Sequence, residues 1–289
     1  MKRMASVSGR NRSESREVLG TSSRYPHSRM SSADWDASRY HRVARPHAAW
    51  GANVLDRLDL QGDEAVLDAG CGSGRVTLQL VERLPRGTVI AADHSESMLA
   101  EARNTLAGYA DRVTFIQVDL LDIHEKLDRQ VQVIFSTAVF HWIQDHPRLF
   151  SALRRVLESR GKLVAQFGGG TNLQHFMRAA DTVAGREPFA QTLGGKDLWR
   201  YYTTPEETEG RLIAAGFTQA NGWLEPSPQT FEDHARMADF CRGVVLSSHV
   251  AALPDPLRQD FTDQVVDEIA RREGALTLDY VRLNVDASG

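Results

Sequence analysis

Cysteine is scarce in this chain. Two residues, Cys71 and Cys241, are too few for a disulfide framework or a cysteine-based metal cluster. Their reduced state fits a cytoplasmic setting. No apolar run approaches the roughly 18 residues that a membrane span needs, which argues against a membrane protein. The first 32 residues have no apolar periodicity and no hydrophobic stretch of the kind a secretory signal carries. They hold seven basic residues, two acids and nine serines, so residues 1–32 are expected to be a disordered extension. Their composition fits a transit peptide or a start assigned too early, with Met30 as the true beginning. Positive charge is lacking elsewhere. The chain is −4 overall and residues 33–289 carry −9. Affinity for nucleic acid comes largely from phosphate neutralisation, so an acidic body argues against a nucleic-acid partner. The expected partner is a small-molecule substrate, and the expected state a monomer or homodimer.

Hydrophobic residues make up 42% of the chain, enough for a sizeable core. The segment Val66-Leu67-Asp68-Ala69-Gly70-Cys71-Gly72-Ser73-Gly74 reads as a buried strand entering a glycine-rich turn. Glycines at 70, 72 and 74 allow positive φ and a close approach of backbone to a ligand. Cys71 lies inside this loop, where a small side chain suffices. Val76, Leu78, Leu80 and Val81 then begin a helical apolar stripe. A dinucleotide fingerprint would place its third glycine at position 75. That position is Arg75, and Asp68 would be a poor neighbour for a pyrophosphate.

Further strands follow at regular intervals. Thr88–Asp93 and Val113–Asp119 each end in an acid, and Ser95 reads as an N-cap with Met98, Leu99 and Ala102 on the inner face of the next helix. An acid at the end of a second strand can accept hydrogen bonds from both ribose hydroxyls. Val131–Ser136 and Gly161–Phe167 are the fourth and fifth strands, Phe217–Leu224 a sixth and Leu276–Val285 the closing one. Strands separated by helices imply parallel pairing, with ligands at the carboxyl ends. Residues 34–60 read as a helix kinked at Pro46, and Pro205–Ala215 as a helix ended by Gly216. Two inserts, an irregular one over 171–203 and a helical one over 229–275, follow strands whose ends face the ligand. They are natural material for a lid; a dimerisation surface is the other reading of the second.

The pattern D-x-G-x-G-x-G, the two acids and three further segments resemble the class I S-adenosylmethionine (SAM) methyltransferases, and within them the trans-aconitate methyltransferase group. The further segments are Trp35-Asp36-x3-Tyr40, Phe135-Ser136-x4-His141-Trp142-x2-Asp145-His146, and Pro205-Glu206-Glu207-Thr208-Glu209 with Ala215-Gly216-Phe217 and the close Asp279-Tyr280-Val281-Arg282-Leu283. The resemblance implies a Rossmann-like, doubly wound α/β fold with a mostly parallel seven-stranded sheet, helical lid inserts and SAM as cofactor. It implies that Asp68, Gly70, Cys71, Gly72 and Gly74 line the methionine half. Asp93, beside His94, would hold the ribose, with Met98 packed nearby. Asp119 and Leu120 would flank the adenine, Ser136 and Trp142 would stand beside the sulfonium, and Tyr40 would close the site.

Methyl transfer from a sulfonium is an in-line displacement that depends mainly on positioning. A carboxylate acceptor is already anionic at neutral pH, having a pKa of about 4. A hydroxyl acceptor calls for a base, for which His141 is the candidate, with His146 and His47 behind it. A polycarboxylate needs cations, and among Arg42, Arg45, Arg200 and Arg242 the stretch Arg200-Tyr201-Tyr202 is the best placed. The expected reaction is esterification of a small carboxylate. The alternatives are methylation of a secondary-metabolite hydroxyl or carbon, esterification of a malonyl-carrier protein, and SAM binding without catalysis.

Overall fold

The computed structural model describes residues 51–289. Tyr40, His47, Arg42, Arg45, the Trp35–Tyr40 segment and the expected extension 1–32 lie outside the described residues. Strand β1 (Ala65–Ala69) is almost wholly buried. That is what a mostly apolar strand produces when both faces of a sheet are covered. It pairs in parallel with β2 (Thr88–Asp93) and β4 (Val131–Thr137). With β3 (Val113–Gln117), β5 (Leu157–Gly168), β6 (Gln219–Pro226) and β9 (Val281–Ser288), it forms a seven-stranded sheet of order β3-β2-β1-β4-β5-β9-β6. Only β9 runs against its neighbours.

Helices cover both faces. Helix α1 (Arg75–Glu82) and α2 (Glu96–Thr105) pack Leu80, Val81, Leu99 and Ala102 against Val66, Val89 and Val133. The short α3 (Ile123–Lys126) and α4 (His146–Val156) lie on the opposite face. Helix α4 begins at Asp145, whose side chain accepts from the Arg148 N–H, and it buries Leu149, Phe150, Leu153 and Val156. Each such side chain contributes roughly 1.5–3 kcal/mol on leaving water.

The first insert is more regular than its composition suggests. It holds α5 (Gln174–Ala184) and the short α6 (Ala190–Leu193). Phe176, Ala179, Ala180 and Val183 are the buried stripe of α5, a helical spacing. After α7 (Pro205–Ala214), capped by a reciprocal Thr204–Glu207 box, the second insert supplies α8 (His234–Gly243), α9 (Ser247–Ala252) and α10 (Asp255–Glu273). Both inserts share one apolar core, in which Phe176, Phe189, Met237, Phe240, Phe261 and Ile269 meet. The closing strand is split. Residues Thr277–Leu278 (β8) pair with Gln229–Thr230 (β7) in a small separate ribbon, and β9 starts only at Val281. The expected closing strand Leu276–Val285 is thus divided between two sheets.

Candidate active site

The glycine loop joins β1 to α1 at the carboxyl edge of the sheet. Gly70, Gly72 and Gly74 have φ of 89°, 53° and 81°, all left-handed, and the Gly70 and Cys71 N–H groups both donate to the Ala92 carbonyl. Their reasons for being glycine differ. A Cβ on Gly70 would lie 2.2 Å from Val139 Cγ2, and one on Gly74 would press 3.1 Å from the Ala102 backbone. These two let the loop pack on protein. Of the three, only Gly72 has nothing among the described residues within 4 Å of where its Cβ would be, so among these residues Gly72 borders the space left for a ligand. Cys71 is buried, and burial raises its thiol well above the ordinary range.

Asp68 is 2% exposed and accepts a 2.7 Å hydrogen bond from the Thr77 hydroxyl. Burial pushes its pKa up to about 7. Its contact is with α1, so it ties the loop to the helix. Asp93, also buried, accepts from the Gly72 N–H through Oδ2 at 2.9 Å and from the Ser95 N–H through Oδ1 at 2.9 Å. A carboxylate has about four acceptor positions, so each oxygen keeps capacity for a hydroxyl. His94 stands 3.4 Å from Asp93, which raises its pKa. Met98 is buried beneath α2. Asp119 is exposed and caps the turn that follows β3, and Leu120 is buried beside it. Ser136 is 1% exposed and donates to the Ala69 carbonyl at 2.7 Å, binding β4 to the start of the loop. The open space at Gly72, flanked by the carboxylate of Asp93, fits a ribose-bearing cofactor.

Next to the loop, at the ends of β4 and β5, is a cleft bordered by His141, Trp142, Arg200 and Tyr202. Its far wall is Tyr280 and Arg282 from the start of β9, with Val244 and Val245 from the second insert. The remaining lining includes Ala138 and Leu173. Among the described residues these are the non-glycine positions with positive φ, at 59° and 57°, and backbone strain of this kind tends to gather at functional sites. His141 is buried, and its Nδ1 accepts from the Gly168 N–H at 3.3 Å. Arg200 lies 3.7 Å over the Trp142 ring and donates to the carbonyls of Val244 and Val245.

Tyr201 departs from its expected place. Its hydroxyl accepts from Arg211 at 2.7 Å and its ring meets His146 at 5.1 Å, away from the cleft. Successive side chains of an extended segment point to opposite sides, so Arg200 and Tyr202 turn inward while Tyr201 does not. His146 is also a packing residue. It is fully buried, pairs with the Phe140 carbonyl, and burial lowers its pKa to about 4. Arg242 is tied to Asp239 and Gln259 rather than to the cleft. Arg282, Tyr280 and Leu173 border the cleft without being expected there from sequence; the one signal for Arg282 is a charge buried within β9.

Residues 66–161 match the family profile described as a methyltransferase domain. A trans-aconitate 2-methyltransferase of Methylobacterium nodulans is 31% identical over 250 residues, spanning 86% of this chain and 91% of that protein. The chain belongs to the class I SAM-dependent methyltransferases. Within this family it is similar to the trans-aconitate group, since proteins of that name from Yersinia pestis and Variovorax paradoxus are each 27% identical across 88% of the chain and 98% of their own length. The methyltransferase fold recurs in solved structures. YcgJ of Bacillus subtilis has a TM-score of 0.59 at 14% identity, covering 84% of this chain and 98% of its own. A putative methyltransferase of Bacillus halodurans has a TM-score of 0.56 at 17% identity, covering 83% and 98%. This methyltransferase uses SAM as its cofactor, and among its described residues no helix is long and apolar enough to cross a membrane.

Proposed function

We propose that this methyltransferase esterifies a carboxylate of a small polycarboxylic acid, with trans-aconitate as the reference acceptor. The observation that carries this reading is the state of His141. The Gly168 N–H donates to Nδ1, so the neutral ring holds its proton on Nε2. Such a ring donates a hydrogen bond from Nε2 and has no basic nitrogen left for an acceptor hydroxyl. A carboxylate needs no base, because its pKa is about 4. The names of the similar proteins support the same acceptor.

SAM supplies the electrophilic methyl group. Asp93 holds the ribose through its spare lone pairs, and Gly72 admits the cofactor beside the loop. Asp68, Gly70, Cys71 and Gly74 shape that loop from behind; Met98, Asp119 and Leu120 border the adenine side. Ser136 fixes the end of β4, from which the chain turns to His141 and Trp142. His141 orients the acceptor by donating from Nε2. The inserts, with Arg200 stacked on Trp142, close over the cleft and exclude water. Orientation of this kind is worth roughly 7–11 kcal/mol of barrier in well-aligned systems. The test is incubation of the protein with SAM and a panel of di- and tricarboxylates, hydroxy acids and phenols, read by mass spectrometry. A base-labile methyl ester on a polycarboxylate is the expected product. An ether, formed while every polycarboxylate stays unmodified, would defeat the reading.

A further inference from the structure

Strand β5 ends at Gly168, and the chain turns back through Gly169-Gly170-Thr171 to reach Asn172 just before α5. Asn172 is 2% exposed and borders the cleft beside His141 and Tyr202. It is held from both sides. Its backbone N–H donates to the Gly169 carbonyl at 3.2 Å, and the following N–H, of Leu173, donates to the Asp279 carbonyl at 3.0 Å. Its Oδ1 accepts from the Val281 N–H, at the start of β9, at 2.8 Å. An N–H can be received only by the oxygen of a carboxamide, so this bond fixes which end is which. Nδ2 then lies against Gly168: a Cβ on that glycine would be 2.7 Å from it and 2.8 Å from Tyr202 Cε1. Gly168 also donates its N–H to His141 Nδ1. The Asn172 amide, His141 and Tyr202 therefore meet at one strand end. Among the described residues nothing accepts from Nδ2. A buried carboxamide carries two donors there, and leaving them unmet costs free energy.

We propose that Asn172 is an acceptor-binding residue, whose Nδ2 donates to the oxygen of the reacting carboxylate that does not attack. This rests on the carboxylate reading above and deepens it by naming a neutral donor for the reacting group. In the transfer one carboxylate oxygen forms a bond to the methyl carbon while the carbon–sulfur bond breaks. The electron pair of that bond goes to sulfur, which becomes a neutral thioether, and no proton moves. The negative charge of the carboxylate disappears in the same step. A cation at the other oxygen would hold the ground state more strongly than the transition state and so slow the reaction. A carboxamide orients the group with less of that effect. Because the amide is already fixed by Val281, little side-chain freedom is lost when the acceptor arrives.

The test compares Asn172→Asp and Asn172→Ala in the full chain. Aspartate keeps an oxygen for the Val281 N–H and puts an anion where the donor stood; alanine removes both. The affinity for trans-aconitate is measured by calorimetry with S-adenosylhomocysteine present, and SAM affinity and melting temperature are recorded alongside. Asn172→Ala should weaken trans-aconitate about 10- to 100-fold, the worth of one hydrogen bond to a charged group. Asn172→Asp should weaken it further, beyond about 100-fold, because like charges are then brought together. SAM affinity should be unchanged in both. A residue that only ties the turn to β9 gives the reverse order, with aspartate close to the unaltered protein and alanine the worse, and that order would overturn the proposal. Should neither variant fold, a crystal of the unaltered protein with S-adenosylhomocysteine and trans-aconitate decides. Nδ2 should stand within about 3.2 Å of an oxygen of the carboxylate nearest the sulfur, and a longer separation refutes the proposal. Failure of the carboxylate reading is visible separately, because the unaltered protein would then methylate no polycarboxylate at all.

Discussion

Asp68 is a carboxylic acid in a place with little tolerance for its charge. Burial lifts its pKa to about 7, the nearby Asp93 adds to the rise, and the Thr77 hydroxyl opposes it. In the unfolded chain the same group releases its proton near 4. Between those values the folded protein binds the extra proton, so stability falls as pH rises from about 4 to about 7 and is level above that. The slope from this one group is at most about 1.4 kcal/mol per pH unit. Asp68→Asn should therefore gain on the unaltered protein from pH 5 to pH 7, with no further gain at pH 8. Urea melts at four pH values measure this, and a difference independent of pH would contradict it. His141 yields a second residue-scale expectation. As a hydrogen-bond donor it should be partly replaced by His141→Gln, which keeps an N–H, whereas His141→Ala should lose about tenfold in kcat/KM, the worth of one hydrogen bond. General-base catalysis would instead cost both variants about 10²–10⁴-fold. Asp68 and Asp93 are legible in sequence because each is a carboxylate at the end of an apolar strand, where the chain turns toward a helix. Arg282 is not legible as a site residue, because a strand's alternation does not reveal which way the strand runs.

At the scale of elements, the glycine loop separates two kinds of necessity. Gly70→Ala combines a left-handed φ with a Cβ 2.2 Å from Val139. The left-handed conformation alone costs about 1–2 kcal/mol, so thermal denaturation should show a marked loss of stability. Gly72→Ala has open space and should melt within a few degrees of the unaltered protein while weakening SAM binding in calorimetry. If the two substitutions affected stability and affinity alike, the assignment of open space to Gly72 would be wrong. Helix α10 offers a different case. Glu268 is covered by the side chains of Arg186, Arg271 and Arg272, which all donate to it, and they lower its pKa to about 2. Its contribution is present above about pH 4.5 and fades as pH falls toward 2. Because the arginines are partly solvated, Glu268→Gln should cost about 1 kcal/mol, measurable at pH 7 and shrinking on acidification. The β-strands that carry the site are readable from their apolar runs because both faces are buried. Helix α5 is harder to read: its apolar stripe packs on α8 and α10, partners from an insert some sixty residues later in the chain.

At the scale of the molecule the described residues form three apolar cores, one on each side of the sheet and a third shared by the inserts. If the inserts close over acceptor and cofactor, hydrogen exchange in residues 171–203 and 234–252 should slow when S-adenosylhomocysteine and a polycarboxylate are added together, and less with either alone. Exchange in β1, β2 and β4 should change little. Uniform protection across the chain would speak against a moving lid. The position of β9 has one more consequence, for how the protein is made. Strand β6 is joined to the sheet through β9 alone, and β5 has β9 as its partner on that side. A chain still emerging from the ribosome therefore carries β5, long and largely apolar, with one edge open until its final strand arrives. Such pairings across more than a hundred residues form late, and an open edge invites association with other chains. Yield in cells should thus depend on chaperone supply and growth temperature more steeply than the stability of the finished protein would suggest.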